Sequence, residues 1–168
     1  MKVEIKRYKS GERAGTIRKN VVEVDGSDVW SADFTLAQII APTLKKLKED
    51  KHGAPSVLDE DVPAELRCST EVDKDEINWE WKDENYFKRW DWALSEMIFA
   101  MEEIANERPN EPKLFRDTGE PATSGWEKDL GMNEMEFLSE MQEEYDSYHA
   151  RIQNGCRLFG SYYTSLWS

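Results

Sequence analysis

Apolar and polar residues alternate over residues 2–8 (KVEIKRY), with Val3 and Ile5 on one face. Residues 16–24 (TIRKNVVEV) are rich in β-branched side chains and also read as a strand. The Gly-bounded polar stretch KSGERAG separates them, so the two segments predict a β-hairpin over 1–26. A lone hairpin is marginal, so this one is expected to pack on helices or to pair with another chain. Asp25-Gly26 marks the end of its second strand.

Beyond the hairpin the period changes from two to about 3.6. Phe34, Leu36, Ala37, Ile40, Leu44 and Leu47 predict a helix over 31–51, with Ser31 and Asp33 at its start. Pro42 falls inside this pattern and is expected to kink or divide the helix. The basic end KKLKEDK suits a helix C-terminus, with Gly53 as the residue after the cap. Tyr86, Trp90, Ala93, Leu94, Met97, Ile98, Met101 and Ile104 share one face of a helix over 84–106. Leu138, Met141, Tyr145, Tyr148, Ile152, Gly155, Phe159, Tyr162 and Leu166 step by three and four across 133–167. That stripe predicts one long helix, or two in line, spanning roughly 50 Å if unbroken. Gly155 and Gly160 are expected to bend it or to admit a close partner. A stripe of this length suggests self-association. The acidic, Pro-containing segments 53–83 and 107–131 read as long loops. The expected fold is therefore mainly α with a small N-terminal β-hairpin (α+β), with three principal helices in a single domain over 1–168.

Composition adds three constraints. Hydrophobic residues make up 39% of the chain and charged ones 34%, so the seven Trp, six Tyr and six Phe must supply much of the core. The net charge is −13; residues 1–30 carry +2 and the other 138 carry −15. That balance argues against general nucleic-acid binding, which needs a basic face, but leaves room for a small anion held by local Arg or Lys. Cys68 and Cys156 form no framework, which points to a reducing compartment. No signal peptide and no membrane-length apolar run is expected.

No chemistry-bearing motif stands out. His52 and His149 are not spaced as a metal site, and the acids at 59–61 do not fit a calcium loop, so no metal is expected. There is no GxSxG and no phosphate-binding Gly-rich loop, so no catalytic residue and no cofactor is assigned. Cys156 reads as a small core residue. The turn KHGAP offers Lys51 and His52 to an anion, against a plain C-cap as the alternative. The more informative pattern is Arg beside aromatic residues that fall off the apolar stripes: Arg89 and Trp92, then Arg151, Arg157 and Tyr163. Stacking faces next to guanidinium groups suit a nucleotide-type ligand. The competing reading is core aromatics with a solvated Arg rim.

Five blocks, WSADFTLA (30–37), KHGAP (51–55), DEDVP (59–63), RWDWALSEM (89–97) and RIQNGCRLFGSYYTSLW (151–167), resemble a family of small proteins encoded by tailed bacteriophages. The segments carrying them, 30–63, 89–104 and 149–167, cover about 40% of the chain. In that family a His often follows the Asp of the first block, where this chain has Phe34. The resemblance implies a phage product in the cytoplasm of the infected host. It also implies a counter-defence role, with sequestration of a nucleotide-type immune signal by a homo-oligomer as the first expectation. Its ligand-binding residues would be Arg89, Trp92, Arg151, Arg157, Tyr163, Lys51 and His52. The alternatives are an acidic protein-interaction module that blocks a host protein, and a hydrolase of such a signal using the acids at 59–61.

Overall fold

The computed structural model describes residues 1–68, 83–112 and 134–167, with side chains from 139 onward in the last stretch. The expected loop residues 69–82 and 113–131 and the Leu138 side chain lie outside the described residues. Strands β1 (Lys2–Arg7) and β2 (Ile17–Glu23) form the expected antiparallel hairpin. Gly11 and Gly15 close its connection with φ of 84° and 82°, values that favour glycine. A short helix α1 (Gly26–Trp30) follows, where a turn was expected. Its cause is a capping box, in which the Asp25 amide donates to Asp28 Oδ2 at 2.8 Å.

Helix α2 (Ala32–Asp50) runs unbroken through Pro42. Ala37, Ala41 and Leu44 are buried along one face, while Leu36, expected in the stripe, points outward at 51% exposure. The helix ends on Lys51, whose amide donates to the Leu47 carbonyl at 2.9 Å. Gly53 is therefore not a left-handed cap; it lies under the Trp167 ring instead.

Helix α3 (Tyr86–Ala105) is the centre of the core. Trp90, Ala93, Leu94, Met97 and Ala100 are each fully buried, as their period requires. Helix α4 (Glu134–Ser161) is the longest element. It stops short of the expected 167, giving way to a 3-10 turn at Tyr163–Ser165. Helices α2 and α4 both run antiparallel to α3 and pack on it.

The α2–α3 seam is polar at its rim. Lys45 pairs with Glu102, Lys48 donates to Ser95 Oγ at 2.5 Å and Lys51 pairs with Asp91 at 2.6 Å. The basic tail of α2 thus points three lysines, one per turn, at the next helix. The α3–α4 seam is tighter. A Cβ added at Gly155 would sit 2.6 Å from Ala100 Cβ and closer still to the Glu96 carbonyl oxygen. The stripe is accordingly used within the chain: Ile152, Gly155 and, just past α4, Tyr162 are buried against the same core, while Leu158, outside the expected stripe, is fully buried and Phe159 only half-buried. Among the described residues, no helix is long and apolar enough to cross a membrane.

The two helical glycines of α4 separate the effects of packing and propensity. Gly155→Ala is expected to lower stability by about 1–3 kcal/mol through overpacking. Gly160→Ala, with open space around it, is expected to raise stability by up to about 1 kcal/mol through helix propensity. Urea denaturation of the two variants checks both signs.

Candidate functional site

The acidic run Asp59–Asp61 forms a 3-10 turn clasped between the start of α3 and the end of α4. Asp61 is buried and accepts from Arg157 Nη1 at 2.6 Å and from Tyr162 Oη at 2.6 Å. Tyr162 Oη in turn accepts the Leu58 amide at 3.0 Å. Asp59 Oδ1 accepts the Cys68 amide at 2.9 Å and lies 3.6 Å from Arg89 Nη1. Arg89 is only 2% exposed, and a guanidinium so deep needs a carboxylate. Buried Asp83 supplies it in a close ion pair with Nη2. Two further bonds pin the same loop to α3: Tyr86 Oη donates to the Ala54 carbonyl at 2.9 Å, and Asn85 Nδ2 donates to the Arg67 carbonyl at 3.1 Å.

The sequence-predicted residues do not converge on one cavity. Arg89 and Arg157 meet at the acidic turn, each already paired. Arg151 makes a bidentate pair with Glu96 at 2.9 and 2.8 Å and lies 3.7 Å over the Phe99 ring. Lys51 is held by Asp91. Trp92 is half-buried against the core, and His52 is exposed. Tyr163 is 64% exposed and lines an apolar groove between α2 and the end of α4. The three hollows that Arg89, Arg151 and Tyr163 border have volumes of about 210, 610 and 400 Å³ and are separate.

Four of the five sequence blocks explain one another. Lys51 of KHGAP meets Asp91 of RWDWALSEM, and Gly53 meets Trp167 at the chain's end. Asp61 of DEDVP meets Tyr162, and Glu96 meets Arg151 and Gly155. These residues hold the fold together.

The remaining block, WSADFTLA, lines a cleft of about 590 Å³ at the opposite end of the helices. Ser31, Asp33, Phe34 and Thr35 form one wall, with Ser27 and Asp28 of α1 beside them. Glu107, Arg108 and Glu111, just beyond α3, form the other. Glu107 and Arg108 have φ of 59° and 55°, a conformation costly for non-glycine residues that clusters at functional sites. Glu103 fixes this turn. Its carboxylate accepts from Tyr148 Oη at 2.6 Å and from Asn110 Nδ2 at 2.5 Å. Burial raises the pKa of Glu103, but these bonds outweigh it and hold the group below the usual carboxylate range. Burial and the bond to Glu103 push the Tyr148 phenol up. Glu111 Oε1 lies 2.7 Å from Nε2 of His149, whose ring sits 4.3 Å from the Tyr145 ring at a tilt of 48°.

The cleft was missed because its walls are about 75 residues apart, as Asp33 and Arg108 are. Its signal was the acid–Arg run after α3. Asp28 is taken up by the Met1 amino group and Glu111 by the His149 ring, so Asp33 and Glu107 against Arg108 leave the cleft with a modest preference for positively charged groups. A second acidic hollow lies along α4, where Glu140, Glu143 and Glu144 stand over Phe99 and Tyr148. Among the described residues no group of three or more His, Cys, Asp or Glu fits a metal ion. Burial pushes the Cys156 thiol up, which keeps it protonated and a poor nucleophile. Comparison with family models, curated proteins and solved structures gives no match.

The clasp has a pH signature. Burial and the bond to Asp61 push the Tyr162 phenol up to about 12. Tyr in an unfolded chain titrates near about 10, so the folded state prefers the neutral phenol. This contribution is complete below about pH 10 and is lost as pH rises through about 12. Tyr162→Phe is expected to lower stability by about 1–3 kcal/mol at neutral pH, by leaving Asp61 under-bonded. It should also flatten the alkaline fall seen in the parent protein. Urea midpoints measured across that range check both effects.

Proposed function

We propose that this chain is a non-enzymatic, phage-encoded counter-defence protein that covers a basic face of a host protein in the cytoplasm of the infected bacterium. The observation that carries the reading is the charge arrangement around the cations. Arg89, Arg151, Arg157 and Lys51, the groups best suited to hold an anion, are each closed on a carboxylate of the same chain. The acids left outward line the cleft at Asp33 and Glu107 and the hollow at Glu140, Glu143 and Glu144. Such a surface steers and selects cationic partners. Capture of a nucleotide would require the Arg groups to leave buried carboxylates, a change that costs several kcal/mol for each carboxylate left buried without a partner. The resemblance to tailed-phage proteins supplies the cellular setting.

The test begins with crosslinking in infected cells, followed by reconstitution with the purified partner. The expected result is a stoichiometric complex that weakens as salt is raised. Neutralising the cleft with Asp33→Asn and Glu107→Gln together should weaken it by about tenfold or more while the fold is retained. A stabilising thermal shift with a nucleotide panel, in the absence of any stoichiometric protein partner, overturns the reading.

A further inference from the structure

The hairpin is amphipathic, and its apolar face is bare. Cross-strand partners share a face, so the register Val3↔Val22, Ile5↔Asn20 and Arg7↔Ile17 sorts the side chains. One face carries Val3, Ile5, Ile17 and Val22, which are 40%, 53%, 53% and 56% exposed, together with Asn20 and Arg7 at its end nearer the turn. The other carries Lys2, Glu4, Lys6, Lys19, Val21 and Glu23, with cross-strand pairs Lys2–Glu23 and Lys19–Glu4 and the pair Lys6–Glu4 within β1. Among the described residues, the strands pack extensively only on each other. At the hairpin's base, the Met1 amino group bonds Asp28 Oδ1 at 2.6 Å. A two-stranded ribbon with an uncovered apolar face is not stable alone in water.

We propose that this face docks on a second copy of the chain, in the groove between α2 and the end of α4. Chemistry and charge both favour that occupant. The groove is apolar, about 400 Å³, and lined by Ile39, Ile40, Leu44, Phe159, Tyr163 and Leu166. An adjoining hollow of about 520 Å³ extends it along Pro42 and Leu47. Residues 1–24 carry seven Lys/Arg and three Asp/Glu, a net of +4, which leaves −17 on the rest of the chain. Two ribbons therefore repel each other, whereas the groove's lining carries no charged residue and the adjoining hollow balances Lys46 against Asp50. The dimensions agree. A six-residue strand spans about 20 Å, and the 19 residues of α2 offer about 28 Å. Exchange in both directions gives a closed, two-fold dimer with two copies of the contact. This contact is independent of the basic partner proposed above.

Sedimentation velocity over a micromolar concentration series tests it. The protein is expected to be a dimer. Ile5→Ser with Val22→Ser in the ribbon, or Tyr163→Ser in the groove, should raise the dissociation constant by about tenfold or more. All three residues are exposed in the single chain, so the circular dichroism spectrum should not change. Mixing the ribbon variant with the groove variant should restore association, because one intact ribbon then meets one intact groove. A parent protein that stays monomeric overturns the proposal. So does a dimer that tolerates Tyr163→Ser, or a mixture that associates no better than either variant.

Discussion

At Gly155 the backbone of α4 comes against the carbonyl of Glu96, and the polar contacts between α3 and α4 are set from that point. One turn earlier on α4, Arg151 reaches the Glu96 carboxylate. Two turns earlier, Tyr148 reaches Glu103 and the edge of Phe99. Two turns later, Tyr162 meets Trp90 edge to face at 5.9 Å and reports to Asp61. A side chain at position 155 would press against the Glu96 carbonyl and Ala100 and strain all of these contacts together. The fold at both ends of the bundle thus depends on one missing Cβ.

That geometry explains why so many charged side chains sit inside a small protein. Asp61, Asp83, Arg89, Glu96 and Glu103 are all buried. Buried ion pairs add little net stability over apolar packing, but breaking one is costly. They select among alternative packings, because a shifted helix leaves a charge without its partner. The acidic turn at 59–61, the start of α3 and the end of α4 can meet in only one register that satisfies all of them. Many of the charged residues in the blocks 51–55, 59–63, 89–97 and 151–167 are accounted for by these pairings, and the outward-facing acids are free for other work.

The fold was largely legible in the sequence because its signals are local. The period-two pattern of β1 and β2 and the full apolar face of α3 are short-range facts. Helix α1 was missed because its capping box uses Asp at both positions, beside a glycine that reads as a turn. The end of α4 was missed because Tyr162 and Leu166 keep the stripe's spacing after the helix has stopped. The site was much less legible. Residue type singled out Arg89, Arg151 and Arg157 as groups to hold a ligand's anion, but in the structure each is paired with a carboxylate of the same chain, 6, 55 and 96 positions away. Spacing along a chain carries no information about such pairings. With 35 acids to 22 bases, every cation has a carboxylate available, and burial makes the pairing compulsory.

The clasp at the acidic turn also sets an order of events. Asp61 and Tyr162 are 101 residues apart, and Gly53 and Trp167 are 114 apart. Helices α2 and α3 pack through contacts closer in sequence. Closing a longer loop costs more entropy, and here that closure needs α4 already seated on α3 to present Tyr162. The turn at 59–61 is therefore among the last elements to lock as the chain folds and among the first to open. Its hydrogen bonds should exchange with solvent well before those of α3, making the acidic turn the fold's latch rather than its foundation.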